Sequence, residues 1–282
     1  MRMNEAEIRA ARVLIDLALA EDVAGGDITT DNLIPASSRR KAKMVAKADG
    51  IVAGLEVAEM VFRSFDNQLV WDVRIADGGM VKKGDVIVEF EGTYRSLLTG
   101  ERTALNFLQR MSGIATMSNK YAEAVKDFKT EILDTRKTLP GFRLLDKYAV
   151  KTGGSSNHRI GLYDMVMIKD NHIEVAGGIT QAVNEIRKKI EPGIKIEVET
   201  TTLEQVQEAI ATGVDIIMLD NMDNAMMEKA VEMIAGRAKV EASGNMTMER
   251  LREVAATGVD YISIGALTHS VQALDISQRL ED

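Results

Sequence analysis

The chain has 282 residues, of which 45% are hydrophobic and 28% charged, and a formal net charge of −8. This composition suits a globular chain long enough for two domains, and its acidity weighs against nucleic acid as a partner. With no cysteine, disulfides, thiolate nucleophiles and Cys-based metal sites are excluded.

Asn4 to Ala20 predicts an amphipathic helix. Asn4 is placed to cap it and Glu7 to complete a capping box, while Ile8, Ala11, Ile15 and Ala18 mark one face. The segment Gly25-Gly26-Asp27-Ile28-Thr29-Thr30 reads as a glycine turn before a strand. Lys41 to Lys47 alternates Ala42, Met44 and Ala46 against mostly Lys, the pattern of a half-exposed strand. Gly54 to Phe65 predicts a helix, and Leu69 to Ile75 and Val86 to Glu91 predict strands. Between those strands, Gly78 to Asp85 looks like a turn of a carrier-type sandwich. No modifiable Lys motif accompanies it, so a structural sandwich is expected. Ser96 to about Lys126 predicts a long helical region with a break near Gly113.

From residue 130 the texture changes to strand, loop, helix, repeated. Apolar strands end near Asp134, Lys169, Glu199, Asp220, Ser243 and Ile264. The spacings from Glu199 to Asp220, Asp220 to Ser243 and Ser243 to Gly265 are 21, 23 and 22 residues. That is the period of a compact βα unit, and right-handed crossovers curl such units toward a barrel. Helices are predicted over 179–190, 203–211, 225–234 and 248–256. No apolar run approaches a membrane span and the polar start Met1-Arg2-Met3-Asn4-Glu5 is unlike a signal peptide. A cytoplasmic protein with no membrane and no nucleic-acid partner is therefore expected.

The chemistry concentrates in residues 133–172. Seven Lys or Arg (Arg136, Lys137, Arg143, Lys147, Lys151, Arg159, Lys169) stand there against four Asp, alongside His158 and His172. A basic pocket in an acidic chain predicts a small, strongly anionic ligand. Two of the predicted strands deliver charge at their C-terminal ends, where α/β folds keep their sites. Arg136, Arg159 and Lys169 suit carboxylates. Glu199 and Asp220, on successive strands, could hold Mg²⁺ or face a developing positive charge. The small residues Ser243-Gly244-Asn245 and Gly265-Ala266, at the ends of the last two strands, could cradle a phosphate with backbone N–H groups.

The stretch resembles the quinolinate phosphoribosyltransferase family. The resemblance is carried by Asp134-Thr135-Arg136-Lys137-Thr138, Pro140-Gly141, Asn157-His158-Arg159, Gly161-Leu162 and Ile168-Lys169-Asp170-Asn171-His172. Gly100-Glu101-Arg102-Thr103-Ala104-Leu105-Asn106 extends it upstream. The likeness implies an α/β fold: a partly open barrel of six to seven strands over 113–269 and an N-terminal α+β sandwich over 1–112, rejoined by a tail at about 270–282. It implies transfer of phosphoribosyl from phosphoribosyl pyrophosphate to quinolinate, with loss of CO₂. Arg136, His158, Arg159, Lys169 and the Arg102 of a neighbouring subunit would hold quinolinate, in a homodimer with shared sites. Thr135 would line the same substrate site. Lys137, with Mg²⁺, would face pyrophosphate. Glu199 and Asp220 would bind ribose or the metal, and Lys137, Lys169, Glu199 and Asp220 form the implied catalytic set. The 5′-phosphate would sit at Ser243-Gly244-Asn245 and Ile264-Gly265-Ala266. The family has a glycine where this chain has Asn245, a residue that tolerates unusual backbone angles. Two rival readings are a related transferase acting on nicotinate and a non-catalytic carrier built on the sandwich.

Overall fold

A computed structural model describes residues 1–281. It falls into two compact units. The first comprises Met1–Asn119, Thr138–Gly154 and Ala266–Asp282; the second comprises Lys120–Lys137 and Ser155–Gly265.

In the first unit the helix Glu5–Asp22 starts at the expected capping box. Asn4 accepts from the amides of Ala6 and Glu7, and Glu7 accepts from the Asn4 amide. Strands β1 (Arg39–Ala46), β2 (Gly50–Ile51), β3 (Val70–Val73), β4 (Met80–Val81) and β5 (Val86–Thr93) follow. Alternation buries Ala42, Met44 and Ala46 of β1, as the sequence pattern predicts. Phe62, on the helix Leu55–Arg63, packs with Trp71 of β3 and Phe90 of β5 in an aromatic cluster whose ring centroids lie 4.9–6.0 Å apart. The glycine turn leads first into the short helix Thr30–Leu33. Asp27 accepts from the amides of Thr29 and Thr30 at its start.

The helix Glu101–Val125 runs through Gly113 without interruption, against the predicted break. The chain breaks instead at Gly100, between this helix and the helix Tyr94–Thr99. Gly113 is small because the chain packs onto it: an added Cβ would lie 2.2 Å from the carbonyl oxygen of Gln272. Beyond that contact the tail forms the last strand, Ile276–Glu281. It pairs antiparallel with β1 from Ala46↔Ile276 to Lys41↔Glu281. The sheet order is therefore last strand, β1, β5, β3. Asp282 lies outside the described residues.

The second unit carries a six-stranded parallel sheet. Its strands are β6 (Glu131–Leu133), β7 (Val166–Ile168), β8 (Ile196–Thr200), β9 (Ile216–Asp220), β10 (Lys239–Ser243) and β11 (Tyr261–Ser263), in the order β6-β11-β10-β9-β8-β7. The sheet ends on β6 and β7, so six strands form an open-edged version of the expected barrel. Helices Ile179–Arg187, Leu203–Thr212, Asn224–Ile234 and Leu251–Ala256 fall where predicted to within three residues at each end. Thr202 and Asp223 cap two of them by accepting from the amides of Gln205 and Met226. One more helix, Asp170–Ala176, follows β7 directly.

Candidate active site

A cavity of about 500 Å³ opens at the C-terminal ends of the parallel strands. It is walled by residues that alternate along them. Glu199 comes from β8, Met218 and Asp220 from β9, Glu241 and Ser243 from β10, and Ser263 from β11. Residues two apart on a strand share a face, so each strand offers its inward side chains to the same space. Thr135, Arg136 and Lys137 enter from the loop after β6, His158 and Arg159 from the loop before β7, and Met167 and Lys169 from β7 and its end. Nine expected residues are thus brought together: Thr135, Arg136, Lys137, His158, Arg159, Lys169, Glu199, Asp220 and Ser243.

The other expected residues lie elsewhere. Gly244 and Asn245 form the turn after β10, both with positive φ (+89° and +48°). A Cβ on Gly244 would meet the Asn221 side chain at 2.2 Å, and Asn221 Oδ1 accepts from Asn245 Nδ2 at 3.2 Å. Asn245 thus occupies a left-handed backbone position that Asn adopts more readily than most residues. Ile264, Gly265 and Ala266 follow β11, where the Ile264 amide donates to Leu133 O at 2.9 Å. Arg102 is exposed on the helix Glu101–Val125 of the first unit.

Charges alternate across the site. Lys169 Nζ pairs with Glu199 Oε2 at 3.0 Å, and Asp220 Oδ2 accepts from Asn221 Nδ2 at 2.8 Å. Arg159 donates to the Met165 carbonyl at 3.0 Å. Burial, then the neighbouring Arg136, lowers the Arg159 pKa, against the opposing charges of Glu197 and Asp164. Hard carboxylate oxygens on adjacent strands, Glu199 and Asp220, are the donors that suit Mg²⁺ bound jointly with substrate phosphates.

Beneath this surface lies a buried group whose two glutamates, Glu197 and Glu241, are absent from the sequence reading. His158 Nε2 stands 3.0 Å from Glu197 Oε2 and 3.3 Å from Glu241 Oε2, and neither carboxylate reaches solvent. Ser263 Oγ donates to Glu241, and Asp134, also fully buried, accepts from the His158 amide at 2.9 Å. The Arg159 amide donates to His158 Nδ1 at 2.8 Å. Burial lowers the His158 pKa, but the hydrogen bonds and charges of Glu197 and Glu241 outweigh it and push it up to about 10. The Arg159 amide pulls the other way, because it needs the Nδ1 lone pair. Both influences leave a proton on Nε2, facing the carboxylates. Burial, then the charge of Glu241, pushes Glu197 up to about 6. The three side chains offer ligand atoms within 4.8 Å of one another, close enough for a cation. The raised His158 pKa instead favours an imidazolium whose Nε2 proton lies between the two carboxylates. The available signal was a Glu between two apolar neighbours, Ile196-Glu197-Val198 and Val240-Glu241-Ala242, where an unneeded charge is expensive to bury.

The comparisons with known proteins agree with this geometry. The family description "Quinolinate phosphoribosyl transferase, C-terminal domain" matches residues 114–279, and the corresponding N-terminal domain matches residues 27–112. The chain is 46% identical over 287 residues to a Nicotiana tabacum protein named quinolinate phosphoribosyltransferase [decarboxylating] 1b, covering 95% of this chain and 81% of that one. It is also 46% identical over 265 residues to a Synechocystis protein named probable nicotinate-nucleotide pyrophosphorylase [carboxylating], covering 93% and 90%. The structure of the nicotinate-nucleotide pyrophosphorylase from Francisella tularensis superposes with a TM-score of 0.93 at 40% identity, over 97% of this chain and 96% of that one. Matched domains across nearly the whole length, and a cationic cavity at the ends of six parallel strands, lead to one conclusion: this chain belongs to the quinolinate phosphoribosyltransferase family.

Proposed function

We propose that the chain transfers phosphoribosyl from phosphoribosyl pyrophosphate to quinolinate, with decarboxylation, giving nicotinate mononucleotide, pyrophosphate and CO₂ in NAD biosynthesis. The observation that carries this reading is one cavity holding Arg136, Arg159 and Lys169 beside Glu199 and Asp220. The three cations match an aromatic dianion, and the two carboxylates match a ribosyl centre that becomes positive.

In this reading, Arg136, Arg159 and Lys169 hold the two ring carboxylates of quinolinate, with His158 shaping the floor beneath them. The ring nitrogen attacks C1 of the ribose as pyrophosphate leaves. Glu199 and Asp220 face the cationic centre, and the Lys137 ammonium stabilises the departing oxygens. Ser243, Gly244 and Asn245, with Ile264, Gly265 and Ala266, hold the 5′-phosphate through backbone N–H groups. The N-ribosylated ring then loses its 2-carboxylate as CO₂. The cationic nitrogen stabilises the electron pair left at C2 until that carbon takes up a proton. Glu199 and Asp220 are the residues that would hold Mg²⁺, whose chemistry would be to neutralise charge on the pyrophosphate. The test is incubation with quinolinate, phosphoribosyl pyrophosphate and Mg²⁺. Release of CO₂ and nicotinate mononucleotide in equal amounts is expected, and absence of CO₂ would overturn the reading. Among the described residues no helix is long and apolar enough to cross a membrane.

The active site is also proposed to be shared in a homodimer, each subunit lending Arg102 to its neighbour through a two-fold interface. The support is the exposed side chain of Arg102, borne on a helix of the first unit, together with the family motif around it. Two inactive variants, Arg102→Ala and Lys169→Ala, should restore each other when co-expressed. A mixed dimer holds one intact site and one doubly defective site. Random pairing makes half the dimers mixed, so about a quarter of wild-type activity should return. Activity no higher than that of the separate variants, with mixed dimers verified by mass, would show that Arg102 serves its own chain.

A further inference from the structure

We propose that Glu197 and Glu241 are positioning residues of the acceptor site, holding His158 and, through it, Arg159 in place for the acceptor's carboxylates. This inference rests on the quinolinate reading above.

The geometry forms a chain of contacts from buried charge to site surface. Glu197 and Glu241 come from β8 and β10, which flank β9. Both converge on a single atom, Nε2 of His158, at 3.0 and 3.3 Å. Ser263 on β11 fixes Glu241 from the other side by donating to its second oxygen. The other face of the imidazole is tied as firmly, since Nδ1 accepts from the Arg159 amide at 2.8 Å. The His158 amide in turn donates to buried Asp134 at 2.9 Å. The loop that carries Arg159 is thereby anchored through one ring to β8 and β10, and through the His158 amide to Asp134 just after β6.

Such an arrangement is unfavourable for folding alone. Two carboxylates at 0% exposure share one imidazole, and Glu197 Oε1 has no hydrogen-bond partner among the described residues. Unsatisfied buried carboxylate oxygens are rare and costly, and an apolar pair would fill the same space more stably. What an apolar pair could not do is fix a loop bearing Arg159 close to Arg136, against their mutual repulsion. Buried negative charge under a cationic surface does both: it offsets the repulsion and fixes the ring. A dianionic acceptor then meets cations already in place, which avoids the ordering cost on binding.

The experiment is steady-state kinetics of Glu197→Gln, Glu241→Gln, His158→Asn and the double variant Glu241→Gln/His158→Asn. Partners that orient a binding group typically change its affinity by 10–100-fold, so KM for quinolinate should rise by roughly 10-fold or more in each single variant. KM for phosphoribosyl pyrophosphate should stay within about twofold, since the loss is confined to acceptor binding. Because Glu241 acts through His158, the double variant should be no worse than His158→Asn alone. An unchanged KM for quinolinate, an equal rise for both substrates, or additive effects in the double variant would each overturn the proposal. If a Gln variant does not fold, Glu241→Asp keeps the charge while drawing it back, and a rise in KM for quinolinate alone is again the expected result. Wild-type turnover is the reference. If the wild type does not consume quinolinate the functional reading falls, whereas normal wild-type turnover beside unaffected variants removes only this inference.

Discussion

Nicotinate offered in place of quinolinate should be turned over about 10⁴-fold less efficiently, measured as kcat/KM from pyrophosphate release at saturating phosphoribosyl pyrophosphate. Both acceptors would give the same mononucleotide, so the comparison isolates recognition of the second carboxylate. The physical argument starts from the crowding of cations. Arg159 is partly buried beside Arg136 and its pKa is lowered by that burial and by that neighbour. The charges of Glu197 and Asp164 offset only part of that effect, since the Arg159 pKa remains lowered. Quinolinate brings two negative charges and satisfies both guanidinium groups. Nicotinate brings one and leaves a guanidinium desolvated and unpaired, and a site built for a charged group rejects a ligand lacking it far more strongly than an apolar pocket rejects a missing methylene. Equal turnover of the two acceptors would sink the quinolinate assignment and favour the related transferase acting on nicotinate.

The part of this site legible in the sequence is the part that sits at strand ends. An apolar run that stops at a charged residue is a local signal, and Lys169, Glu199, Asp220 and Ser243 all announce themselves that way. Each lines the cavity. The N-terminal helix was legible for a similar reason, because the capping box of Asn4 and Glu7 needs only three residues of context. What was not legible depends on partners distant in sequence. Gly113 looks like a helix breaker until Gln272 is seen packed against it. Asp134 reads as a charge delivered to the ligand, yet it is fully buried and spends an oxygen on the His158 amide. Glu197 and Glu241 stand 44 residues apart in the chain, and each alone resembles a solvated strand residue. Only the parallel pairing of β8, β9 and β10 puts both under one histidine. The short helix Asp170–Ala176 escaped because its first turn is the charged tail of the site motif. Its start is held by His172 Nδ1, which accepts from the Lys169 amide at 2.9 Å.

Replacing Lys137 by Ala should lower kcat by roughly 10²–10³, the usual scale for losing one preorganised electrostatic partner of a transition state. Lys137 is exposed, in the loop after β6, and its amide is fixed by Thr135 Oγ1 at 3.1 Å. An exposed position means that folding stability should change by no more than about 0.5 kcal/mol, so a loss of rate is attributable to chemistry. The loss should fall on kcat rather than on KM for quinolinate, because the charge it would stabilise develops on the leaving pyrophosphate and not on the acceptor. Glu199→Gln should lower kcat on the same scale from the opposite side of the reaction, since it removes negative charge facing the ribosyl cation. It also frees Lys169 from its 3.0 Å partner, so KM for quinolinate should move in that variant and stay near the wild-type value in Lys137→Ala. The pair of variants thus separates leaving-group stabilisation from acceptor binding. A well-folded Lys137→Ala protein with near-normal kcat would refute the role given to that ammonium group.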